Sequence, residues 1–167
     1  MSVACGASQQ FAIAPAASFH ILDVTVDDVS VGAKRAYSFA DVQENHRIAA
    51  TFAPDNLPPD CGSAHAVPRL AWPPDHKMTA VSIEGVTDPN GDPVSIVVTG
   101  ITQDEPLDGI GDGHTCPDAL ILDGQAQVRM ERSGSGNGRV YVIQFVANDG
   151  RGGSCLDSVA VCVPHDR

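Results

Sequence analysis

The stretch Val86-Thr87-Asp88-Pro89-Asn90-Gly91-Asp92-Pro93-Val94 decides how the chain is read. Before it, Val81 and Ile83 alternate with Ser82 and Glu84; after it, Val94, Ile96 and Val98 alternate with Ser95 and Thr99. An apolar period of two, bounded by Gly, Pro, Asn and Asp, predicts two half-buried strands. Asn90-Gly91 tolerates positive φ, while Pro89 and Pro93 keep a hydrogen-bonded ladder from running through the loop. The stretch therefore sets two strands, a tight turn and a cluster of oxygen ligands at one end of a β domain.

Working downstream, further strands are predicted at 119–122, 125–131, 140–147 and 155–163, with another upstream at 66–72. The intervening turns are Asp123-Gly124, the Ser/Gly-rich 133–138 and the Gly-rich 149–153. Seven short strands so punctuated predict an immunoglobulin-like β-sandwich over 66–167. If successive strands are antiparallel, the 88–92 turn, the Asp123 turn and the Asp149 loop share one end, and the long 103–117 loop and the Ser/Gly-rich loop share the other.

Upstream, residues 54–65 hold three prolines among polar residues and predict a stiff, extended linker. Residues 1–53 carry short apolar runs, among them Phe11 and Ile13, Val24 and Val26, Tyr37 and Phe39, and 48–52, with Asp27-Asp28 where a hairpin turn belongs. The expectation is all-β throughout: a small β-rich repeat module at 1–53, the linker, and the sandwich.

Composition bounds the function. Ten Lys and Arg against 21 Asp and Glu give a net charge of −11. Nucleic acid, whose phosphates need a basic face, is therefore an unsuitable partner. No apolar run reaches the ~20 residues of a membrane span, and no basic segment followed by an apolar core marks a signal at the N-terminus. Five cysteines without a CxxC spacing predict disulfides in an oxidising, extracellular compartment. Serines in Gly-rich loops lack a nucleophile elbow, and six scattered histidines offer no HExxH spacing, so no catalytic residue is assigned and an enzyme is not expected.

Two groups of motifs carry resemblances. Gly6-x-x-Gln-Gln-Phe-x-Ile-x-Pro, Phe19-His-Ile-x-Asp-Val-x-Val-Asp, Val31-Gly, Tyr37-x-Phe and Val42-x-x-x-His46-x-Ile-x-Ala-x-Phe52 together resemble the divergent internalin-type B repeat of bacterial surface proteins. The resemblance implies a grasp-like β module repeated in tandem. Asp28 stands where that family usually has Gly, and the family usually has another strand before the position of Cys5. An open sheet edge is expected there, filled by strand addition from another chain, with copies of the protein itself as the partner.

Leu70-Ala-Trp-Pro-Pro-Asp-His-Lys-Met78, Gly85-Val-Thr-Asp-Pro-Asn-Gly-Asp-Pro-Val94, Gly100-Ile-Thr-Gln-Asp-Glu-Pro106, Gly111-Asp-Gly-His-Thr-Cys-Pro-Asp118 and Glu131-Arg-Ser-Gly-Ser-Gly-Asn-Gly-Arg-Val-Tyr141 resemble a bacterial extracellular immunoglobulin-like domain of the kind found beside cadherin-like repeats. This implies a non-catalytic structural or adhesion module of a surface or secreted protein. The alternative is a carbohydrate-binding accessory module of a secreted enzyme; 5% aromatic residues offer a glycan little to stack on.

The strand order also constrains the cysteines. Cys155 and Cys162 are seven steps apart on one strand, roughly 23 Å at ~3.3 Å per residue, too far to bridge. Matching strand ends predicts Cys61–Cys155 and Cys116–Cys162, with Cys5 unpaired or intermolecular. Asp88, Asn90, Asp92 and, across the loop end, Asp149 form one set of candidate calcium ligands; Asp104, Glu105, Asp108 and Asp112 in the long loop form a second. The competing reading is that these are turn residues whose side chains bond the local backbone.

Overall fold

The structure, a computed structural model, describes residues 2–166. Among them there is no helix, and twelve strands form four antiparallel sheets, so the chain is all-β. It divides into two compact units, Met1–Asp55 and Asn56–Arg167.

In the first unit β1 (Gln9–Ala12) pairs with β4 (Ala36–Phe39), and β2 (Phe19–Val26) lies between β3 (Val29–Ser30) and β5 (Ile48–Pro54). Val26 faces Val29 across a two-residue turn in which Asp27 and Asp28 have φ of 51° and 65°. Both central residues are left-handed, the type I′ geometry that suits a twisted hairpin, and Asp is among the few non-Gly residues that adopt it. His46 stacks on Phe39 at 4.8 Å and meets the Asp27 carboxylate at 2.7 Å, tying the 40–47 connection to the turn.

Burial in this unit is thin. Val24 and Val26 are its only buried hydrophobic side chains among the described residues. Phe11, Tyr37, Phe39 and Ile48 are half-buried, and Phe19 and Phe52 are exposed. A unit of about 55 residues is near the lower size at which a core suffices alone.

The second unit holds one sheet of order β6-β7-β10-β9 and another of order β12-β11-β8. Their strands are β6 (His65–Val67), β7 (Met78–Glu84), β8 (Ser95–Gln103), β9 (Ala119–Leu122), β10 (Gln125–Arg129), β11 (Gly138–Asn148) and β12 (Ser154–Pro164). The unit is thus built from a four-stranded and a three-stranded antiparallel sheet. The inward stripe of β11, Tyr141, Ile143, Phe145 and Ala147, meets Val159, Val161 and Val163 of β12 and Val81, Ala126, Val128 and Met130 of the facing sheet in one core. The β7 and β8 strands flank the 86–94 stretch as their alternation predicts, but they join different sheets, so that stretch crosses between layers.

The expected 54–65 linker does not run free. Residue 54 ends β5, whereas Asp60 exchanges two backbone hydrogen bonds with Thr87, of 2.7 and 3.2 Å, within the second unit. Cys61, 7% exposed, is bridged to Cys155 with Cα atoms 6.1 Å apart, the pairing expected from strand order.

The Cys116–Cys162 pairing is not formed; both are free thiols. Strand alternation is the reason. Val161 and Val163 face the core, so Cys162 faces outward, opposite Val140 and beside Leu70, while Cys116 leads into β9 of the other sheet. Cys5 is also unbridged, its thiol donating to Gln43 Oε1 at 3.1 Å.

Candidate functional site

The first set of predicted calcium ligands is built on the 88–92 turn, and most of its oxygens hold the protein together. Asp88 Oδ1 accepts the backbone N–H groups of Asn90 (2.8 Å) and Asp92 (3.1 Å), an Asx turn that fixes the loop locally. Asn90 Oδ1 accepts the N–H of Leu57 at 2.7 Å. Asp149 Oδ1 accepts from the N–H groups of Arg151 (2.7 Å) and Gly153 (2.9 Å), and its Oδ2 accepts from Asn56 Nδ2 (2.7 Å). The Asn56 amide, then these backbone donors, hold the Asp149 carboxyl below the usual carboxylate range. A Cβ at Gly153 would collide with this carboxylate, which is why the loop needs glycine there.

Asp149 and Asn90 thus fasten residues 56–57 to the sandwich and are committed to that task. Asp92 pairs through Oδ1 with Arg151 at 3.1 Å. What remains for a cation is Asp88 Oδ2 and Asp92 Oδ2, two buried oxygens without a donor in one turn. Asn90 and Asp149, by contrast, spend their oxygens on bonds within the protein.

The second predicted set separates as well. Asp104 Oδ1 caps the N–H of Val140 at 2.8 Å, and Glu105 Oε2 accepts the N–H of Ser133 at 2.6 Å and lies 3.4 Å from Arg139 Nε. Asp108 and Asp112 instead group with His114, which the sequence reading did not include; their ligand atoms lie within 4.8 Å of one another. Asp108 and His114 are exposed and hydrogen-bonded to each other, whereas Asp112 is fully buried. The His114 N–H, ahead of Gly109 N–H, holds the Asp112 carboxyl low, and Asp108 raises the His114 imidazole.

Behind this loop lies a charged core. Arg139, Asp112, Asp118 and Glu131 are each 0% exposed, beside the buried Tyr141. Arg139 Nη1 meets the carboxylates of Asp118 and, at 3.5 Å, Glu131, and also the Tyr141 hydroxyl at 3.3 Å; Nη2 lies 3.8 Å from Asp112 and donates to Pro106 O at 3.1 Å. The Tyr141 hydroxyl donates to Arg129 O at 2.9 Å, and burial pushes it up to about 12. Glu131 Oε2 accepts from Thr115 Oγ1 and lies 3.3 Å from His76 Nδ1. Burial first, with the neighbouring Asp118 carboxylate adding to it, pushes the Glu131 carboxyl up against the opposing pull of Thr115. Asp118 Oδ1 and Glu105 Oε1 are buried without a donor.

The sequence held one signal for this cluster. Arg139 sits in phase with Tyr141, Ile143 and Phe145, so period two places a guanidinium on the buried stripe, where it must find carboxylates. No family model, no curated protein and no solved structure matches the chain.

Proposed function

We propose that the chain is a non-catalytic structural and adhesive module of a bacterial surface or secreted protein, and that copies assemble by completing the sheet of the first unit. The observation that carries this reading is the open core of Met1–Asp55, where Val24 and Val26 are the only buried hydrophobic side chains among the described residues. A cleft of about 250 Å³ lies against Phe11, Phe39, Val42 and Ile48. The strands β1, β3, β4 and β5 each bond on one side only. An added strand supplies main-chain partners to such an edge and apolar side chains to such a cleft. The Cys61–Cys155 bridge suits an oxidising, extracellular setting, and no helix of the described residues is long and apolar enough to cross a membrane.

Multi-angle light scattering over a concentration series tests the assembly. The mass is expected to rise above the 17.4 kDa of one chain with concentration. A constant single-chain mass from micromolar to millimolar contradicts it.

Calcium belongs to the same reading. Asp88 Oδ2 and Asp92 Oδ2 are hard anionic oxygens without donors, the kind of ligand calcium takes. Saturating calcium is expected to raise the melting temperature by about 5 °C over chelator-treated protein, and Asp92→Asn to abolish the gain. Identical melting curves with calcium and with chelator count against the site.

A further inference from the structure

The Arg139 cluster holds more acid than its cations neutralise. Four carboxylates, Glu105, Asp112, Asp118 and Glu131, converge on one guanidinium, and their side chains are at most 9% exposed. Glu131 follows β10; Arg139 and Tyr141 come from β11; Asp118 precedes β9; His76 and Arg129 close the remaining side, with Arg129 Nε 3.9 Å from Glu131. Arg129 supplies a second positive charge at that distance, while its donors go to the carbonyls of Pro117 and His76. The Arg132 guanidinium is turned to His165 O. Uncharged Thr115 completes the contacts of Glu131.

With all four carboxylates ionised, the site would hold four negative charges against the two guanidinium charges of Arg139 and Arg129, and two of its oxygens would have no donor. Like charges in a site removed from water resist joint ionisation, and one proton is the smallest remedy. Glu131 is the place for it. It is fully buried, its neighbour Asp118 presents an oxygen without a donor, and burial and that neighbour both raise its affinity for a proton.

We propose that this cluster is a pH-operated latch in which Glu131 takes up one proton as the sandwich closes, and whose deprotonation loosens the 103–118 loop from β10 and β11. The sign follows from the raised folded-state affinity. The stabilisation is complete below the ordinary glutamate range and is lost as pH rises through the higher folded value. Carboxylates held low, such as Asp112 and Asp149, behave oppositely and lose their contribution only in acid. His114 and His165 are raised and exposed or partly so, and also weaken as pH rises. Comparison with a Glu131 variant cancels their share.

Thermal unfolding of the full chain between pH 5 and 9 tests the latch, comparing the natural protein with Glu131→Gln, whose amide stands in for the protonated acid. The melting temperature of the natural protein is expected to fall by about 4–8 °C relative to the variant across this range, with amides of 103–118 exchanging faster at the alkaline end after correction for intrinsic rates. Parallel melting curves overturn the proposal. Should Glu131→Gln fail to fold, carbon-13 titration of the Glu131 carboxyl in the natural protein decides. A carboxyl still protonated at pH 5.5 supports the latch, and one already ionised there overturns it.

Discussion

Replacing Arg139 by methionine is expected to destabilise the chain by about 3–5 kcal/mol, the cost of removing one partner from a buried ionic cluster. Methionine retains much of the aliphatic volume, so packing against Tyr141 changes little. What it removes is the guanidinium that meets Asp118, Glu131, Glu105 and Asp112 and also donates to Pro106 O. Four buried carboxylates then lack their common cation, and charges of one sign in a dry site must protonate or open the loop to water. Urea unfolding followed by Trp72 fluorescence measures the loss as a lower midpoint. Acidification to about pH 5 is expected to restore part of it, since protonation relieves the same repulsion. A loss under 1 kcal/mol at neutral pH, with no recovery in acid, would mean that the cluster is neutralised by something other than Arg139.

The second large effect concerns the Cys61–Cys155 bridge. Its two cysteines are 94 residues apart in sequence, so it removes much of the freedom of the unfolded chain, and its loss is expected to cost about 2–4 kcal/mol. There is a local consequence as well. Cys61 follows the Asp60–Thr87 backbone pair and the Asn56 and Leu57 hydrogen bonds to Asp149 and Asn90. Without the bridge, residues 56–61 keep these hydrogen bonds and the burial of Pro59 and position 61, but lose their covalent tie to β12. A Cys61→Ser, Cys155→Ser double variant is expected to melt well below the natural protein and to be cleaved first by protease between 54 and 61. Equal melting temperatures and unchanged cleavage would remove the bridge from any structural role.

Short apolar runs bounded by turn residues marked most strands of the second unit, although the one expected at 66–72 is only His65–Val67. The reading placed β9 at its observed bounds, and Asp123-Gly124 supplied the hairpin turn between β9 and β10, with φ of 49° and 76°. It could not say whether adjacent strands share a sheet: β7 and β8 alternate as paired strands would, yet lie in different layers, since alternation fixes a face and never a partner. The cysteines show both sides of that limit. Cys155 lies on the inward face and reaches Cys61, as strand order demands. Cys162 was matched to Cys116 by strand end alone, and the face to which period two assigns it points away.

The acidic loops were legible as loops more than as sites. Asp104, Asn90 and Asp149 bond backbone or neighbouring amides, the ordinary use of short polar side chains in turns. Of the predicted ligands, Asp88, Asp92 and Glu105 retain buried oxygens without donors, a property set by tertiary packing and invisible in residue spacing. Glu131 and Asp118 were passed over because a reading that counts apolar positions treats a charge beside a strand as exposed. Arg139 alone, in phase with the core of β11, signalled otherwise.

The central claim is that the first unit is completed by a strand from a second copy. Its most direct measurement is amide hydrogen exchange of the full chain at low and high protein concentration, resolved over Gln9–Ala12 and Ile48–Pro54. These strands have one bonded edge each, so about half of their amides face outward. The account predicts that those amides gain protection as concentration rises, while the sandwich strands of the second unit stay unchanged. Exchange in β1 and β5 that is independent of concentration, in protein of constant single-chain mass, would contradict it.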